Sequence, residues 1–344
     1  MKAAVIHEFG PADVLKIEDA AAPRSSAGEV LVRVRAVRVG GLLDVGTRAG
    51  RNPFARFSFP HILGADFAGD VVEVGEGVER VKARDRVAVS PFVACGQCPA
   101  CTSGRDYGCP NAQLIGINRQ GSYAELVSVP EKVVRRIPNH VTYEQAAALA
   151  LSGPVAFTQF SVAGLKPDDW VLVTAAASGL GLVTALVARA LGARVIATSR
   201  KDWKRKLLAE RGFEHVLDTD DEGFAGKVAE ITGPAGAAIA VDNIASASMF
   251  PKLQASLGRL GVLISSGAQV AEPVPLDMRA LYLKSQSVVG IRTHTQAALD
   301  GFWRLAEEGV EALVDRTFPL EEVADAHRYV EAEKNFGRVL LTID

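Results

Sequence analysis

The chain has 344 residues, enough for two domains or one large one. Hydrophobic residues make up 48% of it and charged residues 23%, the balance of a globular protein with a sizeable core. Its 38 basic and 40 acidic side chains leave a net charge of −2, which argues against a nucleic-acid footprint or a membrane-surface patch.

The apolar run at Met1–Glu8 is too short for a signal peptide, and no apolar stretch reaches the roughly 18 residues of a membrane span, so a cytoplasmic location is expected. Met1–Phe9, Glu29–Val39, Phe67–Val74, Arg86–Ser90 and Ser122–Val129 are Val-rich or alternating and bounded by Gly, Pro or Asp, which predicts a β-rich first 150 residues. Within that stretch all four cysteines are gathered as Cys95-Gly-Gln-Cys98-Pro-Ala-Cys101, followed by Cys109. Four thiolates on a short loop turned by Gly and Pro can surround one tetrahedral zinc, a closed site that holds a loop rather than performing chemistry. Four free thiols or a redox pair is the plainer alternative. A reducing compartment favours metal over disulfides for such a cluster.

From about Pro154 the pattern changes to strands alternating with helices: strand Trp170–Thr174, helix Leu182–Leu191, strand Arg194–Thr198 and helix Trp203–Arg211. Strands at Val216–Leu217, Ala237–Val241, Val262–Ser265 and Ser287–Ile291 continue the series and predict a parallel, doubly wound sheet. The first strand runs through Ala175 and Ala176 into Ala177, Ser178, Gly179, Leu180 and Gly181, directly before a helix. Small residues there let backbone N–H groups approach a pyrophosphate, although tight helix packing asks for the same residues. Asn243 and Gly267, beyond later strands, complete the candidate cofactor contacts of this half. The second strand ends at Ser199, Arg200 and Lys201, with Lys204 one turn on. NAD enzymes usually carry Asp or Glu at that place, whereas a hydroxyl with neighbouring cations suits the 2′-phosphate of NADPH. The same cations also fit a solvated helix start. Helices at Gln296–Glu308 and Leu320–Glu333 and a closing strand, Arg338–Ile343, read as a return to the first domain.

The four-cysteine spacing ahead of a dinucleotide half resembles the medium-chain dehydrogenase/reductase superfamily. Pro60-His61-Ile62-Leu63-Gly64, Asp85-Arg86-Val87 and Gly121-Ser122-Tyr123-Ala124-Glu125 extend the likeness over nearly the whole chain, and the Ala-rich turn is similar to its quinone reductase branch. The resemblance implies an α/β fold with two parts. One is a GroES-like catalytic domain over 1–153 and 294–344, with the zinc loop at about 95–109. The other is a Rossmann domain over 154–293. It also implies that Arg338 touches the cofactor pyrophosphate, with a plain surface arginine as the alternative, and that the chain forms a homodimer through the edge strand at Ser287–Thr293.

Zinc alcohol dehydrogenases of this superfamily hold a second, catalytic zinc. At the three matching positions this chain has Gly41, Ala65 and Leu151, whose side chains cannot coordinate a metal, and the relay positions hold Leu43 and Gly46. No cysteine lies outside the cluster, and the six histidines are scattered. His61, beside Ala65, is expected to pack rather than to replace a ligand. An apolar floor of Leu42, Leu43, Leu151 and Val155, with Phe54, Phe57, Phe59 and Phe92, is expected to receive a small-molecule substrate. Asp66 is nominated near the hydride path, either as an acid or as a supporting carboxylate. The reading is an NADPH-dependent reductase of quinones or α,β-unsaturated carbonyls. A zinc-independent alcohol dehydrogenase or carbonyl reductase and a non-catalytic NADPH-binding sensor are the alternatives.

Overall fold

In the computed structural model, which describes residues 1–267 and 272–344, strand Glu29–Val39 is the spine of the first of two units. Val30, Val32 and Val34 are fully buried while Arg33 is exposed, the alternation of a strand with one face on a core. Phe67–Val74 pairs antiparallel with it, Val37 opposite Phe67. Arg338–Thr342 pairs antiparallel with its other edge, Val339 opposite Val39, so the chain's last strand does return to the first unit. Val314–Pro319 extends that edge. A separate three-stranded sheet joins Lys16–Asp19, Lys2–Ile6 and His61–Ile62. The strand expected from Ser122 begins only at Leu126, because Tyr123 donates instead to Leu63 O at 2.9 Å and Ser122 to Gly64 O at 3.0 Å.

The second unit is a six-stranded parallel sheet of β1 (Trp170–Val173), β2 (Arg194–Thr198), β3 (His215–Leu217), β4 (Ala237–Asp242), β5 (Leu257–Ser265) and β6 (Ser287–Gly290). Its order, β3-β2-β1-β4-β5-β6, reverses direction between β1 and β4. That switch point opens a crevice at the carboxyl ends of the two strands. The helices are α1 (Ser152–Ala163), α2 (Gly179–Ala190), α3 (Asp202–Glu210), α4 (Phe224–Thr232), α5 (Phe250–Ser256), α6 (Met278–Lys284) and α7 (Gln296–Glu307). Sequence periodicity reveals α2, α3 and α7. It passes over α1, whose residues Ser152–Ala156 and Thr158–Phe160 are all buried, so that no polar face marks it.

The units are Met1–Leu151 with Glu311–Asp344, and Ser152–Val310. The second boundary therefore falls later than the 293/294 division expected from the pattern. The reason is α7, which packs on α1 through a reciprocal fit. A Cβ on Gly153 would lie 2.2 Å from the Phe302 ring, and one on Gly301 would lie 2.8 Å from the Phe157 ring. Two glycines thus let two phenylalanines seat against helix backbone, and α7 belongs with the dinucleotide-type sheet. Among the described residues no single helix is long and apolar enough to cross a membrane.

Candidate functional site

The cysteine loop hangs from a two-stranded ribbon, Phe92–Val93 with Gln113–Leu114. Cys98 caps a one-turn helix, Pro99–Thr102, whose N1 proline suits its fixed φ. This geometry turns the four sulfurs inward, all within 4.8 Å of one another, with Cys98 to Cys101 at 3.5 Å and Cys95 to Cys101 at 4.0 Å. Zinc–sulfur bonds of about 2.3 Å in a tetrahedron place sulfurs about 3.8 Å apart, so the donor set and its spacing fit a closed zinc site. Backbone N–H groups of Gln97 and Cys98 hold the Cys95 thiol down at about 6, whereas desolvation pushes the Cys101 thiol up to about 12. Phe92 is buried in this lobe's own core with Ala94, Leu114 and Ile117. That corrects its expected place on a substrate-pocket floor. Leu43 also packs against the lobe, leaving Leu42 exposed beside it in sequence.

In the second unit the turn after β1 carries Ala175 in the left-handed region, φ 47°. Ser178 caps α2, its hydroxyl accepting the Gly181 N–H at 3.1 Å. A Cβ on Gly181 would meet Ala175 O at 2.2 Å, so only glycine allows the helix to start this close to the turn. The N–H groups of Gly179 and Leu180 precede the first helical hydrogen bond, Leu182 to Ser178 at 3.0 Å, and with Ala177 they form the mouth of the helix. Gly267 and Asn243 come together beyond the carboxyl ends of the adjacent strands β5 and β4: a Cβ at 267 would lie 2.2 Å from the Asn243 carbonyl carbon. Ser199 is buried at the end of β2 and Arg200 is exposed beyond it. Lys204 lies over the Trp203 ring, 5.2 Å from its centroid. Arg205 has a different task. It donates to the carbonyls of Ser199 and Arg200 at 3.0 and 2.7 Å and pairs with Asp218 at 2.9 Å, which braces the loop after β2.

The first unit holds a buried charge cluster around the positions without ligands. Arg38 donates from Nε to Asp66 Oδ2 at 2.6 Å and from Nη2 to Asp66 Oδ1 at 2.7 Å. Burial opposes the Arg38 charge, but the Asp66 carboxylate outweighs it and holds the guanidinium above its usual range. Asp44, fully buried on the π-helical turn Gly41–Gly46, accepts the Gly40 N–H at 2.7 Å. Burial pushes its carboxyl up to about 7, against the pull of Arg38 and the Gly40 and Gly64 N–H groups. Arg338 is 8% exposed, and its Nε and Nη2 have no partner among the described residues. Burial, with Arg38 beside it, lowers its pKa to about 9, so it remains a cation at neutral pH with two N–H groups to offer. Tyr123 and His327 are joined at 3.0 Å in the same interior, and burial with the nearby Arg48 charge drives His327 down to about 3. His61 is occupied: its Nε2 lies 3.2 Å from Gly116 O and its ring stacks on Phe57, 3.9 Å between centroids.

Sequence reasoning passed over Arg38. The signal was present in its strand: Arg38 interrupts the apolar run Ala36-Val37-Arg38-Val39, which is buried throughout, and an arginine there demands a partner.

The strand order and the small-residue turn at its switch point define an α/β protein of the dinucleotide-fold class. Residues 26–139 match the alcohol dehydrogenase GroES-like domain, and residues 179–308 match the zinc-binding dehydrogenase family. The chain is 30% identical to an alcohol dehydrogenase of Geobacillus stearothermophilus, with 100% of each chain covered. Among solved structures it is similar to an NAD-dependent alcohol dehydrogenase, with 32% identity, a TM-score of 0.91 and 100% of each chain covered. It is also similar to a mycobacterial quinone oxidoreductase, with 29% identity, a TM-score of 0.82 and 99% of each chain covered. The chain belongs to the medium-chain dehydrogenase/reductase family and is a zinc-type alcohol dehydrogenase-like oxidoreductase.

Proposed function

We propose that this protein is an NADPH-dependent reductase that delivers hydride to a quinone or an α,β-unsaturated carbonyl without a catalytic metal. The observation that carries the reading is the donor set. Gly41, Ala65 and Leu151 stand at the three ligand positions, and their side chains offer no atom to zinc. Next in sequence to Ala65 is Asp66, whose carboxylate is already paired with Arg38. A saturated alcohol must lose its hydroxyl proton to be oxidised, and a simple ketone needs its oxygen polarised; both are tasks for a Lewis acid. A quinone or enone spreads the incoming charge over a conjugated system and needs less help. In this reading Asp66, gripped through both oxygens, supports Arg38 rather than acting as the acid.

The dinucleotide supplies the hydride when bound. Ala177, Ser178, Gly179, Leu180 and Gly181 would receive its pyrophosphate, and Asn243 and Gly267 would flank it. Taken by itself, Arg338 of the first unit offers N–H groups that suit an anionic oxygen. Ser199, Arg200 and Lys204 favour the 2′-phosphate of NADPH, although several relatives are named as NAD-dependent. Cys95, Cys98, Cys101 and Cys109 would hold one structural zinc, which fixes the lobe loop. A homodimer through β6 is supported by its place at the sheet edge and by the exposure of Val288, Met278 and Tyr282 nearby.

The test is NADPH consumption with a panel of quinones, enones and aldehydes. Turnover with the conjugated acceptors is expected. Turnover with aldehydes alone favours the zinc-independent alcohol dehydrogenase or carbonyl reductase reading. Tight NADPH binding without turnover on any acceptor favours a sensor.

A further inference from the structure

A line of three buried polar side chains runs from the helices of the second unit to the switch point of its sheet. Thr184, on α2, is fully buried, and its hydroxyl donates to Gln159 Oε1 on α1 at 3.1 Å. With its oxygen so engaged, Gln159 presents its amide nitrogen, and Nε2 donates to Asn243 Oδ1 at 3.3 Å. Asn243 follows β4 directly. Its main chain is pinned: its N–H donates to Thr174 Oγ1 at 2.9 Å, and Asp242 Oδ1 accepts the next two N–H groups, those of Ile244 and Ala245, at 2.9 and 3.1 Å. Only the carboxamide is left to be set. Its oxygen is taken by Gln159, and its Nδ2, in a residue 5% exposed, has no partner among the described residues.

A buried donor without an acceptor is costly, and proteins leave few of them. This one sits at the carboxyl end of β4, where the strand order reverses and ligands of doubly wound sheets bind. Because an amide has one acceptor end and one donor end, the order of the line decides which end of Asn243 is left to a ligand. We propose that Thr184 and Gln159 are positioning residues that hold the Asn243 carboxamide with its N–H left as a donor to an oxygen of the bound dinucleotide. The inference rests on the cofactor reading above and adds to it two residues that do not themselves touch the cofactor.

The site lies away from the end of β2, so Asn243 should serve NADPH and NADH alike. The test is the Kd of each dinucleotide, read by quenching of protein fluorescence, for the full chain and for Asn243→Ala, Gln159→Met and Thr184→Val. Each variant should bind both dinucleotides about three- to tenfold more weakly, the worth of one hydrogen bond, with the NADPH-to-NADH ratio unchanged. Introduced into Asn243→Ala, Thr184→Val and Gln159→Met should cost nothing further, because their effect runs through the missing carboxamide. A purely structural role would lower thermal stability and weaken binding equally in both backgrounds, and that result overturns the proposal. So does an unchanged Kd in folded Asn243→Ala. If the unaltered protein binds neither dinucleotide, the cofactor reading falls and takes this inference with it; binding by the unaltered protein with no loss in the variants refutes the inference alone.

Discussion

Arg38 grips Asp66 through both carboxylate oxygens, at 2.6 and 2.7 Å, with the arginine side chain 9% exposed and the aspartate side chain 0%. The two residues are 28 positions apart, and a backbone bond from Arg38 N to Asp66 O at 3.0 Å keeps their strands in register beneath the pair. Removing one partner strands a charge in the interior. Arg38→Leu should therefore destabilise the protein by about 3–5 kcal/mol, and Arg38→Leu with Asp66→Leu by much less than the sum of the two single changes. Urea denaturation reads both; additive losses would mean the pair does not act as a unit.

Asp44 gives the fold a pH dependence. Its carboxyl lies at about 7 in the folded protein against an ordinary 3.8, so the folded state binds this proton more tightly. The resulting stability is complete below about pH 4 and is lost as the pH rises towards 7. His327 works in the opposite sense. Held down at about 3 from 6.5, it contributes stability above pH 6.5 that is lost as the pH falls towards 3. Comparing wild type with Asp44→Asn isolates the first effect. Between about pH 4 and 7 the wild type should lose stability relative to the variant. Parallel curves would show that Asp44 does not titrate in that range.

Much of this was legible in the residues. Cysteine spacing and the Ala175–Gly181 turn each depend on a few neighbouring positions, so local chemistry reveals them; Gly41, Ala65 and Leu151 stand out only through the family resemblance. The Arg38–Asp66 and Gln159–Asn243 pairings depend on contacts 28 and 84 residues apart, which no local pattern encodes. The placement of α7 was hidden for a similar reason: its partner glycine, Gly153, lies on a helix with no polar face to announce it.

Zinc content should be about one ion per chain, and Cys98→Ser should lower it and loosen the lobe. Elemental analysis with hydrogen exchange over residues 92–114 checks this. Retention of the ion with unchanged protection in the variant would contradict a four-sulfur site.

Arg200→Ala should weaken NADPH about ten- to a hundredfold and leave NADH nearly unchanged, since a charge-assisted bond to phosphate is lost only in the first case. Equal losses for the two dinucleotides would remove Arg200 from the 2′-phosphate.

The most direct test of the central claim is turnover in the presence of a chelator too weak to strip four thiolates. With one zinc per chain confirmed, NADPH oxidation by a small quinone or enone should proceed at an undiminished rate, and ethanol oxidation should be negligible. Efficient ethanol oxidation that collapses on mild chelation would contradict the account, because it would require a second, open metal site that Gly41, Ala65 and Leu151 cannot build.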